Sequence, residues 1–97
     1  MRKRIHIKIY GRVQGVWFRK WAQSKAQELG ISGWVKNESN GSLSLQAEGN
    51  EAGLSRLVEE CHEGPEKAII TDLTTKDIAS VEDEGFNIIR NKMKKRY

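Results

Sequence analysis

Ile5, Ile7 and Ile9 alternate with His6, Lys8 and Tyr10, the two-residue period of a half-buried strand. A glycine-bounded turn follows, Gly11-Arg-Val-Gln-Gly15. From Phe18 the period lengthens. Phe18, Trp21, Ala22, Ala26 and Leu29 recur at three- and four-residue spacing, one face of a helix, and Gly30 stops it. Residues 33–39 read as a second strand. Asn40-Gly41 then predicts a two-residue hairpin turn, because both positions tolerate φ > 0. Leu43, Leu45 and Ala47 share one face of a third strand. Ser42, Ser44, Gln46 and Glu48 share the other, which is expected to be wet. Asn50 is placed to cap a second helix with the stripe Leu54, Leu57, Val58 and Cys61, ended by Gly64-Pro65. Residues 68 to about 79 are strand-like with imperfect alternation, which implies a bulge or bend. Phe86 and Ile88 suggest a short last strand.

The order is βαββαβ plus an extra C-terminal strand. Two helices and a sheet with one polar face predict an α+β fold, a two-layer ferredoxin-like sandwich with both helices on one face of a mixed, mainly antiparallel sheet. Residues 1–90 are expected to form a single domain, and residues 91–97 a disordered basic tail. In this topology strands one and two are parallel, with strand three between them. Their C-terminal ends then share one edge of the sheet, about 10 Å apart across two strand spacings. Residues 11–19 should face the region of residue 37.

Composition alters this picture little. The chain has 97 residues, one cysteine and no apolar run long enough to span a membrane. Its basic N-terminus is interrupted by His6 and Lys8 and lacks the apolar core of a signal peptide. A cytoplasmic, monomeric protein is the expectation. Charge is more informative. The net charge is +4, yet residues 1–25 carry eight cations and no acid, while residues 26–89 carry thirteen acids and four cations. The first 25 residues therefore build an electropositive surface.

Two glycines four apart let the 11–15 backbone curl, and a curled loop entering a helix start gathers N–H groups in one concavity. Arg19 falls in the first helical turn, and helical side chains lean toward the N-terminus. Its guanidinium can then grip two oxygens of a phosphate. A tight βα turn with a surface arginine is the plainer reading. Asn37 shares a face with Val35 and is directed at the same loop, or else bonds its own backbone at the strand end.

GRVQGVWFR followed by GWVKNESNGSLSLQAEG resembles the two signatures of the acylphosphatases, and the resemblance runs over about residues 4–90, through Gly64-Pro65 to Phe86. It implies hydrolysis of the carboxyl–phosphate bond of acyl phosphates, with no metal and no cofactor. The phosphate-binding loop falls on Gly11, Arg12, Val13, Gln14, Gly15, Val16, Trp17 and Phe18. The phosphate-gripping arginine falls on Arg19, and the asparagine that orients the attacking water on Asn37. The implied partners are a small acyl phosphate as substrate and inorganic phosphate as product and competitive inhibitor. A phosphate oxygen is implied as acceptor of the water's proton. Glu38, in place of a neutral hydroxyl residue, and Glu66, where a second proline is common, depart from the pattern.

The remaining residues are consistent with this. No GxxxxGK[ST] loop is present. Cys61 lies on an apolar stripe without the arginine of a cysteine-phosphatase loop and reads as a packed thiol; His6 and His62 lack partners at ligand spacing. Val16 and Phe18 are expected to anchor the loop, and Trp17 to shield the site or touch the acyl group. Nucleic acid is not an expected partner. Tyr10 is the one aromatic assigned to the open sheet face, near Glu48, and stacking needs more.

Overall fold

The computed structural model describes residues 2–90; the expected basic tail, residues 91–97, lies outside them. The order is β1 (Arg2–Arg12), α1 (Phe18–Glu28), β2 (Ser32–Asn37), β3 (Leu43–Asn50), α2 (Glu51–Glu63), β4 (Ile69–Ile78) and β5 (Phe86–Ile89). The five strands form one sheet in the order β4-β1-β3-β2-β5. Pairing is antiparallel except between β2 and β5, which run parallel with Val35 opposite Ile88. This is the two-layer ferredoxin-like arrangement. No described helix is long and apolar enough to cross a membrane.

The alternating residues of β1 and β3 meet in register, Ile5 opposite Ala47, Ile7 opposite Leu45 and Ile9 opposite Leu43. With Val35 and Phe86 they form the floor of the core, and Phe18, Ala22, Ala26, Leu54, Leu57 and Cys61 close it from the helices. Each large apolar side chain sealed here contributes about 1.5–3 kcal/mol. Cys61 is such a packed residue, and burial pushes its thiol up to about 12. The expected cap holds, with Gly53 N–H donating to Asn50 Oδ1 at 2.9 Å.

Three details differ from the sequence reading or sharpen it. The β2–β3 hairpin uses a three-residue loop, residues 39–41. Only Gly41 of this loop has positive φ, 94°, so the two-residue turn is not formed. Asn40 acts through its side chain instead, accepting from Ser42 N at 3.1 Å and Ser42 Oγ at 2.7 Å. The bulge lies in β4. Tyr10 pairs with Asp72 and Gly11 with Ile70, which leaves Thr71 unmatched.

The larger correction concerns the open face of the sheet. Ser42, Ser44 and Glu48 were expected in water, and all three are buried. The chain must travel from β4 at one edge to β5 at the other, and residues 79–85 make that crossing over the open face. Glu48 is its anchor. It accepts from Ser80 Oγ, from the backbone N–H of Val81 at 3.1 Å and Glu82 at 3.2 Å, and from the buried Arg4 at 3.0 Å. Arg4 also forks onto Asp83 at 3.0 and 3.3 Å. The Ser80 hydroxyl, helped by the Val81 amide and Arg4, outweighs burial and holds the Glu48 carboxyl at about 2. Trp34 is a further aromatic ring on this face, edge-on to His6 at 6.3 Å and with Lys36 Nζ 5.8 Å from its centroid.

Candidate active site

β1 and β2 run parallel, two strands apart, and β5 runs parallel beside β2. Their C-terminal ends therefore meet at one edge, together with the loop after β1 and the start of α1. A cleft of about 440 Å³ opens there, lined by Val13, Gly15, Trp17, Phe18, Arg19, Lys20, Asn37, Ile88 and Arg90. It contains Arg19 and Asn37, two residues far apart in the chain. The alternation expected for β2 holds, since Val35 is core and Asn37 lies on the same side.

The loop is short and held from both sides. Val13, Val16 and Phe18 are buried, while Trp17 between the last two is 81 % exposed. Apolar residues on either side thus hold the polypeptide down while the indole stands out at the cleft mouth. Phe18 also meets Trp21 edge-on at 5.2 Å between centroids. Gly15 takes φ 73° with open space around it, so conformation alone requires glycine there. Trp17 takes φ 66°, a left-handed conformation uncommon for a bulky residue. Among the described residues no side chain caps the start of α1, so its first amides stay available at the cleft. The dipole there favours an anion. Lining residues bring three cations, Arg19, Lys20 and Arg90, and no carboxylate. Such a cleft can take an anion, turning uncapped amides and a half-buried guanidinium toward its oxygens.

Not every residue assigned to the loop lines this cleft. Gly11 and Arg12 belong to β1, where they pair with Ile70 and Ile69 of β4. A Cβ on Gly11 would lie 2.0 Å from the Ile69 carbonyl oxygen, so its glycine serves the close approach of β4. Gln14 turns away and donates from Nε2 to the carbonyls of Glu38 at 2.8 Å and Ser42 at 2.9 Å. It ties the loop to the hairpin that begins at Asn37. Val16 serves the core. Conversely, Lys20, Ile88 and Arg90 line the cleft, although the motifs assign none of them to the site. Lys20 lay one residue from Arg19 in the motif, but Ile88 and Arg90 carried no local signal, because only the β2–β5 pairing brings them here. Among the described residues, no group of three His, Cys, Asp or Glu side chains is arranged to hold a metal ion.

The fold and this cleft define a small α+β domain of the ferredoxin-like class with an anion-receptive edge. The acylphosphatase family profile matches residues 5–88. A protein from Sinorhizobium medicae named acylphosphatase is 44% identical over 85 residues, covering 87% of this chain and 90% of its own. The solved acylphosphatase structure from Coxiella burnetii superimposes with a TM-score of 0.88 at 35% identity, covering 91% of this chain and 93% of that one. The Bacillus subtilis acylphosphatase structure gives 0.86 at 36% identity, covering 92% and 99%. The chain belongs to the acylphosphatase family, hydrolases that act on acyl phosphates.

Proposed function

We propose that residues 1–90, acting as a single domain, hydrolyse acyl phosphates without a metal, with Arg19 holding the phosphoryl group and Asn37 the water. One observation carries this reading: Arg19, Asn37 and the loop at Gly15 line one cleft. The substrate's phosphoryl oxygens sit against the amides at the start of α1 and the Arg19 guanidinium, where charge-assisted hydrogen bonds offset their negative charge. The Asn37 carboxamide orients a water in line with the bond to be broken. Water oxygen bonds to phosphorus as the P–O bond to the acyl group breaks. The electron pair leaves with the carboxylate, whose acid has a pKa of roughly 4, so departure needs no general acid. The water's proton passes to a phosphate oxygen. Gln14 acts as a positioning residue, keeping the loop and the Asn37 hairpin in register through its two carbonyl contacts. The reading expects the protein to act as a monomer. The cytoplasm is the compartment this reading expects.

Benzoyl phosphate hydrolysis in the presence of a chelator tests the scheme. Full activity is expected, with inorganic phosphate as a competitive inhibitor. Arg19→Ala should lower kcat/KM by about 10³-fold or more and lose phosphate binding. Asn37→Ala should lower kcat by about 10²–10³-fold and largely keep phosphate binding. Parent-like rates in both variants would overturn the residue roles, and loss of activity on chelation would overturn the metal-free scheme.

A further inference from the structure

The cleft is larger and more positive than a phosphoryl group requires. About 440 Å³ is space for a whole small ligand. An acyl phosphate with a neutral acyl group carries about two negative charges near neutral pH. Arg19 and the helix start can offset those, yet Lys20 and Arg90 line the same cleft with no carboxylate among the lining residues. Their placement is structural. β5 runs parallel to β2, with Val35 opposite Ile88 and Lys36 opposite Ile89, so the next residue, Arg90, comes level with Asn37. Phe86 is core and Ile88 packs against it, and by strand alternation Arg90 follows them on the helix-facing side. Lys20 enters from the first turn of α1 and Trp17 from the residue before that helix. Beyond the phosphoryl end, the cleft thus has two apolar walls, Trp17 and Ile88, and two cations that pair with no carboxylate among the described residues.

Taking the phosphoryl chemistry proposed above as given, we infer that this outer half selects acyl phosphates whose acyl part carries a second anionic group. The acyl body lies between the indole of Trp17 and the side chain of Ile88. Its distal carboxylate or phosphate is met by Lys20 and Arg90. Trp17 is thus a specificity residue, held at the mouth in a left-handed conformation that keeps its ring out of the core.

Benzoyl phosphate and 4-carboxybenzoyl phosphate form a matched pair, alike except for one carboxylate. Their kcat/KM values, each divided by the uncatalysed rate, measure the preference. The parent enzyme should favour the carboxylated substrate about five-fold at low ionic strength, through a lower KM, as expected for a half-exposed ion pair. The preference should fall toward one in about 0.5 M salt. In the Lys20→Gln/Arg90→Gln double variant it should also fall toward one, and in Arg90→Glu it should reverse. Circular dichroism and thermal melts report whether each variant is folded. Should a variant fail to fold, the parent's own salt dependence decides. A parent ratio of one or less, or a preference that ignores both salt and these substitutions, overturns the inference. No turnover of either substrate by the parent would instead overturn the hydrolase reading beneath it.

Discussion

Trp17 carries the sharpest conflict between local preference and position. A bulky residue at φ 66° costs about 1–2 kcal/mol relative to an ordinary conformation, and 81 % exposure leaves little burial to offset it. Trp17→Asn keeps the conformation with a residue that tolerates it. The expected result is equal or greater stability, by up to about 1 kcal/mol in denaturant unfolding, with weaker binding of aryl substrates. Two residues earlier the logic reverses. A Cβ on Gly15, at φ 73°, would meet nothing within 4 Å beyond its chain neighbours, so Gly15→Ala should cost about 1–2 kcal/mol through backbone strain alone. Gln14 bridges the loop to the carbonyls of Glu38 and Ser42. Gln14→Ala should lower stability by about 1–2 kcal/mol and reduce kcat more than it raises KM, readable from thermal melts and steady-state rates. The motif around these residues was visible as sequence. Their division of labour was not, because spacing cannot say which side chains of a curled loop face the cleft and which face the hairpin.

At the scale of elements, periodicity was a faithful guide wherever one face is core. β1, α1, β3 and α2 all appear where alternation or three-four spacing put them, since burial on one side imposes that period. Accuracy fell where another strand intrudes. β1 runs on through Gly11 and Arg12, because β4 pairs with them across a bulge at Thr71. That pairing, invisible locally, takes Gly11 and Arg12 from the loop and gives them to the sheet. Gly11→Ala would drive a Cβ into the Ile69 carbonyl oxygen at 2.0 Å while φ stays at 126°. A loss of about 3 kcal/mol or more is expected, with faster hydrogen exchange along β4, because neither backbone can retreat without breaking the ladder.

For the whole molecule, the crossing from β4 to β5 decides both stability and the far wall of the site. Residues 79–85 bring Ser80, Glu82, Asp83 and Glu84 to the open face, and the two are joined through Glu48, Arg4, Ser80 and Asp83. Glu48 is held at about 2 in the fold, well below its ordinary 4.5. The unfolded chain therefore binds its proton first, so this contribution is whole above about pH 5 and drains away as pH falls toward 2. Asp83 is also lowered: burial opposes this, but hydrogen bonds from Arg4 and Ser32 outweigh it, which adds to the same acid loss. Glu48→Gln should leave a less stable protein at neutral pH whose urea midpoint changes less between pH 5 and 2 than the parent's. An equally steep acid loss in the variant would assign it to other carboxylates. Sequence by itself determined the element types, the apolar face of the sheet, the family, and Arg19 and Asn37 as candidates, because these depend on short-range period and on a contiguous motif. Tertiary structure alone decided that the second face is covered around Glu48 and Arg4, and that Lys20, Ile88 and Arg90 join the cleft. A polar stripe reads the same whether water or a polar strap covers it, and strands distant in sequence become neighbours only when the sheet closes.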